Sequence, residues 1–101
     1  MGMGNLAKMA QQMQAEMARA EAELTQLTVE GTAGGGAVKA VVTGKQEIVS
    51  VTISPDVVDP DDVEMLQDLV LAAVSDALTQ ARVAGEQRMA RVTGGLKIPG
   101  F

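Results

Sequence analysis

The sequence predicts an α+β chain: a long N-terminal helix, a three-stranded antiparallel β-meander and a long C-terminal helix. Three observations carry that prediction. Apolar residues keep a heptad spacing through residues 3–26 and alternate with a period of two through residues 27–53. From residue 63 onward they return to spacings of three and four. With 101 residues the chain has the size of one domain. We read it as a domain over residues 1–93 and a flexible tail over residues 94–101, where Pro99 and Gly100 punctuate the chain.

The first helix is expected over residues 3–26, which are rich in Ala, Met, Gln, Glu and Leu, all good helix formers. Met3, Ala10, Met17 and Leu24 form one seven-residue series, and Leu6, Met13, Ala20 and Leu27 form the other. That is the a/d seam of a coiled coil. Such a helix is about 36 Å long, more than a three-stranded sheet needs for cover. Either it projects or another chain covers it. The seam makes Leu6, Met13, Met17 and Leu24 the candidate dimer interface, although methionine specifies packing geometry poorly.

Leu27, Val29 and Gly31 then alternate with Thr28, Glu30 and Thr32 as a first strand, and Gly34 to Gly36 read as a flexible loop. Residues 37–43 set Val38, Ala40 and Val42 against Lys39, Val41 and Thr43 as a second strand. A tight turn at Gly44-Lys45 leads to a third strand, with Val49, Val51 and Ile53 on one face. Asp59 is the expected N-cap of the second helix, with Pro60 in its first position. Val63, Leu66, Val70, Ala73, Val74, Ala77 and Ala81 form the stripe that should lie on the sheet.

Composition narrows the function. The chain has no His and no Cys, so disulfides, thiolate metal sites and imidazole general bases are excluded. Catalysis is not expected, nor is a metal, a cofactor or a small-molecule substrate. There is no Trp or Tyr, and the one Phe is Phe101. A thin aliphatic core of this kind gains from a second copy, so an oligomer is expected. The longest apolar run, Leu69 to Val74, is far short of a membrane span, and the first residues do not read as a signal peptide. A cytoplasmic chain without membrane attachment is expected.

The net charge of −5 is unevenly spread. Residues 55–76 hold seven acids and no base, while residues 77–101 hold Arg82, Arg88, Arg91 and Lys97 against Glu86 alone. The acid cluster lacks the spacing of a calcium loop and reads as a capped helix start. The Gly-rich loop is followed by no Lys-Ser/Thr pair and opens no helix, so it does not read as a phosphate cradle. By charge alone, the basic C-terminal residues read as a solvated helix end suited to the helix dipole.

The order of these segments resembles the YbaB/EbfC family of bacterial nucleoid-associated DNA-binding proteins. The likeness rests on Gly4-Asn5-Leu6 with Met9-Ala10-Gln11-Gln12-Met13-Gln14, and on Val29-Glu30-Gly31 with Gly34-Gly35-Gly36-Ala37-Val38-Lys39. It rests also on Ile53-Ser54-Pro55, on Glu64 to Val70 with Ala72-Ala73, and on the ending Gly94 to Phe101. The resemblance implies a tweezer-like homodimer in the nucleoid that binds duplex DNA with little direct base readout and influences gene expression. It makes Lys8, Arg19, Arg82, Arg88 and Arg91 the candidates for phosphate contact. The first helix of the family is often richer in Lys. Here Glu16, Glu21 and Glu23 occupy that part, so a shallow to moderate salt dependence is expected. A different reading of the same arms is a module that docks onto a DNA repair or replication protein, with DNA contact incidental.

Overall fold

The computed structural model describes residues 3–94. The element order is α1 (Met3–Gln26), β1 (Thr28–Ala33), β2 (Val38–Thr43), β3 (Ile48–Ile53) and α2 (Val63–Gly94). This is the expected helix, meander, helix. Residues 95–101, most of the expected tail, lie outside the described residues, and Gly94 closes α2. The strands pair antiparallel in the order β1-β2-β3.

The core is the contact between α2 and the inner face of β1 and β2. Val38, Ala40 and Val42 are fully buried there against Ala73, Ala77 and Ala81. Alanine on the helix and glycine on the strand bring the two backbones together. A Cβ at Gly31 would stand 2.3 Å from the Ala73 carbonyl oxygen and 2.3 Å from the Ala77 nitrogen. Gly31 is thus a strand residue chosen for closeness, at the entropic cost glycine carries in a strand.

α2 also closes the outer edge of β1. The Asp76 carboxylate accepts the Thr32 backbone N–H at 3.2 Å, and the Gln80 amide donates to the Glu30 carbonyl at 2.9 Å. Strand-edge groups that could template another strand are satisfied by side chains of the same chain.

Three details differ from the sequence expectation. First, α2 begins three residues later than the Asp59-Pro60 signal. Asp59 accepts the Asp61 N–H at 2.9 Å in a preceding turn, and Asp62 caps the helix by accepting the Met65 N–H at 3.1 Å. Val63 is accordingly 53% exposed and off the sheet. Second, the β2-β3 pairing passes from Val41↔Ser50 to Val42↔Ile48, leaving Val49 out of register. The bulge interrupts the simple alternation read for β3. Third, Gly34 to Gly36 form a tight left-handed turn with φ of 63°, 68° and 94°, closed by the Ala37 N–H donating to the Gly34 carbonyl at 3.3 Å, a defined turn where a flexible loop was expected.

The molecule is elongated, 72 × 24 × 16 Å, with a radius of gyration of 19.8 Å against about 13 Å for a compact chain of this length. The cause is α1. Only its Ala20 and Leu24 are buried. Leu24 lies beside Gly85 and Glu23 pairs with Arg88, so α1 and α2 run antiparallel and are joined near the C-terminal end of α1. The preceding residues project as an arm. Met3 is 86% and Leu6 69% exposed.

Candidate functional site

The candidate residues fall on the arm and on the C-terminal half of α2. They are held together by the socket at the base of α1. Leu24 enters it between the β2-β3 turn and α2. A Cβ at Gly44 would stand 2.8 Å from the Leu24 carbonyl oxygen and 2.9 Å from its Cδ2. Gly44 reads in the sequence as the turn-making residue. In the structure the left-handed position falls on Gln46, φ 63°, and Gly44 makes room for the helix.

The five predicted cations occur in three conditions. Arg19 pairs with Glu16 at 2.8 Å and Arg82 with Glu86 at 3.1 Å, both within one helix and both well exposed. Exposed pairs of this kind contribute about 0–1 kcal/mol, and each carboxylate cancels the charge of its arginine at that point of the surface. Arg88 is different. Its Nε donates to Glu23 Oε2 at 2.6 Å and its Nη2 to Oε1 at 3.3 Å, and its side chain is only 20% exposed. The hydrogen bond from Arg88 holds the Glu23 carboxyl below its ordinary pKa, and the same bond raises that of the guanidinium. Among the described residues Lys8 and Arg91 are exposed and form no ion pair.

The structure brings Arg88 and Arg91 together. With Glu23, Leu24, Leu27, Ala84 and Gln87 they line one open cleft between α1 and α2. Arg82 lines a second cleft with Gly44, Gln46, Gly85, Glu86 and Met89. Leu24 borders both clefts, so Arg82 and Arg91 flank the root of the arm. Lys8 stands apart on the arm, fifteen residues and about 22 Å from Glu23 along the helix. What this arrangement can do chemically is neutralise and hold an extended anion.

The predicted dimer residues divide as well. Leu6, Met13 and Met17 are 69%, 37% and 41% exposed, whereas Leu24 is 5% exposed and used within the chain. Sequence reasoning missed a second apolar surface. Ile53, Leu66, Val70, Leu71 and Val74 line an open groove where α2 leaves β3 uncovered. Ile48, Val49, Val51 and Ile53 of β3 are all exposed, from 37% to 58%. Four large aliphatics in a six-residue strand were the signal, since a strand covered on one face alternates.

Comparison with known proteins decides the family. The model of the YbaB/EbfC DNA-binding family matches residues 1–96. The chain belongs to the YbaB/EbfC DNA-binding family. It is 59% identical over 97 residues to a nucleoid-associated protein of Thermoanaerobacter pseudethanolicus, covering 96% of this chain and 87% of that one. To a nucleoid-associated protein of Moorella thermoacetica it is 53% identical over 104 residues, covering 100% of both. A crystal structure of an uncharacterized protein of Helicobacter pylori, HP0035, superposes with a TM-score of 0.75 at 22% identity, over 96% of this chain and 99% of that one. That likeness shows that the YbaB/EbfC chain described here shares the helix, meander, helix fold of HP0035. Among the described residues no helix is long and apolar enough to cross a membrane.

Proposed function

We propose that this chain binds duplex DNA as a homodimer through the arm end of the molecule, by phosphate neutralisation with little direct base readout, in the nucleoid. The observation that carries the reading is the segregation of charge along α2. Its acids cluster around Glu64 and its bases around Arg88, 24 residues and about 36 Å apart. That exceeds four times the screening length of about 8 Å at physiological salt. The net charge of −5 therefore says little about the field at the arm end. There the in-chain pairs Arg19–Glu16, Arg82–Glu86 and Arg88–Glu23 cancel, leaving Lys8, Lys45 and Arg91 against Glu21 and Glu47.

The dimer is best supported by the groove of β3 and α2. It is continuous, apolar and open, and it lies away from the arms. The α1 seam is the weaker choice because Leu24 already serves the chain's own socket. Two copies joined through β3 would leave both α1 arms free to grip a duplex, the tweezer form. Such binding positions the protein without reading bases and suits a role in organising the nucleoid and influencing expression.

The arm's exposed stripe of Leu6, Met9, Met13 and Met17 supports a second reading, docking onto a DNA repair or replication protein. Charge reversal separates the two. Lys8→Glu with Arg91→Glu should weaken duplex binding equally on unrelated DNA sequences. Unchanged binding in that variant, or a loss confined to one sequence, contradicts the proposal. A stoichiometric protein partner captured through the Met stripe, with no duplex shift at low salt, favours the second reading.

A further inference from the structure

Arg88 is the least available of the paired arginines, with its side chain 20% exposed against 63% for Arg19 and 55% for Arg82. It lies on α2, 65 positions from Glu23 on α1, yet the two side chains meet in a two-pronged pair of 2.6 and 3.3 Å. The Nε–Nη2 edge is the one a guanidinium uses to grip a phosphate with two hydrogen bonds. Here both of its positions are spent on one carboxylate. The pair also lies where it has leverage. α1 is held to the body at Ala20, at Leu24 in the glycine-lined socket and at Glu23, and everything before Ala20 projects. A small rotation at this base moves the arm tip, Lys8 included, through a large arc.

We propose that Glu23 and Arg88 form a latch that fixes the direction of the α1 arm and withholds Arg88 from DNA. Glu23 is thus a positioning residue for the binding function proposed above. Closed, the latch aims the arm and leaves Lys8 and Arg91 as the free cations among the five candidates. Open, it gives a wandering arm and one additional free cation per chain. The depressed pKa of Glu23 agrees with a pair that stays closed at neutral pH.

Two variants separate the functions of the pair. Glu23→Gln opens the latch and frees Arg88; Arg88→Gln opens it and frees no cation, leaving the Glu23 carboxylate unpaired. The chain has no cysteine, so spin labels at Gln11→Cys and Thr79→Cys are unique. Labelled protein diluted in unlabelled protein reports the arm-to-body distance within one chain. Both variants should broaden that distribution. On duplex DNA the salt slope of Glu23→Gln should steepen by about 0.9 per chain, and that of Arg88→Gln should stay at the wild-type value. A distribution that stays narrow in either variant overturns the latch. So does an Arg88→Gln slope shallower by about 0.9 per chain, because Arg88 would then already be a contact. The distance measurement needs no DNA. If the wild type fails to bind duplex, the proposed function falls while the distances still decide the latch.

Discussion

Replacing Gly31 by alanine tests how α2 is seated on the sheet. The added methyl would lie 2.3 Å from the Ala73 carbonyl oxygen, 2.3 Å from the Ala77 nitrogen and 2.8 Å from the Ala77 Cβ. Two of these atoms are helix backbone, so no rotamer change relieves the clash. α2 must move away by more than an ångström to restore a carbon contact of about 3.5 Å. That displacement opens the seam along Ala73, Ala77 and Ala81, each fully buried. Overpacking a core costs about 1–3 kcal/mol, and a backbone clash belongs at the upper end. At roughly 4–8 °C per kcal/mol for a domain of this size, the melting temperature should fall by about 12–24 °C. With no Trp or Tyr, the assay is circular dichroism at fixed protein concentration, since any association of chains makes the midpoint concentration-dependent. Gly35→Ala is the control. Its Cβ would meet nothing within 4 Å, but φ is +68°, so only the left-handed penalty of about 1 kcal/mol applies. A Gly31→Ala midpoint within a few degrees of the wild type would refute the close seating of α2.

Leu24→Ala empties the socket and should cost about 2–3 kcal/mol, the lower part of the range for a buried leucine, in chemical denaturation. It should also lower helicity before global unfolding, because a freed α1 is marginal alone. Ile53→Lys places a charge in the β3-α2 groove and should give the mass of one chain by light scattering, whereas Met13→Lys should leave the dimer intact. Asp76→Ala with Gln80→Ala bares the β1 edge at Thr32 and Glu30, and should raise the aggregation rate in turbidity assays. The Glu23 pKa is depressed below 4.5, chiefly by the hydrogen bond from Arg88. The contribution of the pair is therefore complete above the ordinary carboxylate value and lost as pH falls through the depressed one. Arm distances should stay narrow from pH 7 to about pH 5 and broaden only in stronger acid. Broadening near pH 6 would contradict this.

The helices and strands were legible because each has its own apolar period, and β3 came out at the residues read for it, Ile48–Ile53. What escaped the sequence was set by distance. The start of α2 moved because two aspartates compete, and the turn held by Asp59 precedes the cap made by Asp62. The destinations of Gly31 and Gly44 could not be read, because closeness to a helix leaves no local pattern. The bases were visible as bases. The fate of Arg88 was not, since its partner lies 65 residues away. Likewise the α1 heptads are genuine, but Leu24 is turned inward by a socket that only the folded sheet creates.

The central claim is phosphate-driven binding of duplex DNA by the arm end of a dimer. A single titration of one random-sequence duplex across a range of salt concentrations tests it most directly. With Lys8 and Arg91 of both chains engaged, log affinity should fall against log salt with a slope of about −3.6, and a second unrelated duplex should give the same line. Absence of binding at about 50 mM salt, or a slope of zero, would contradict it.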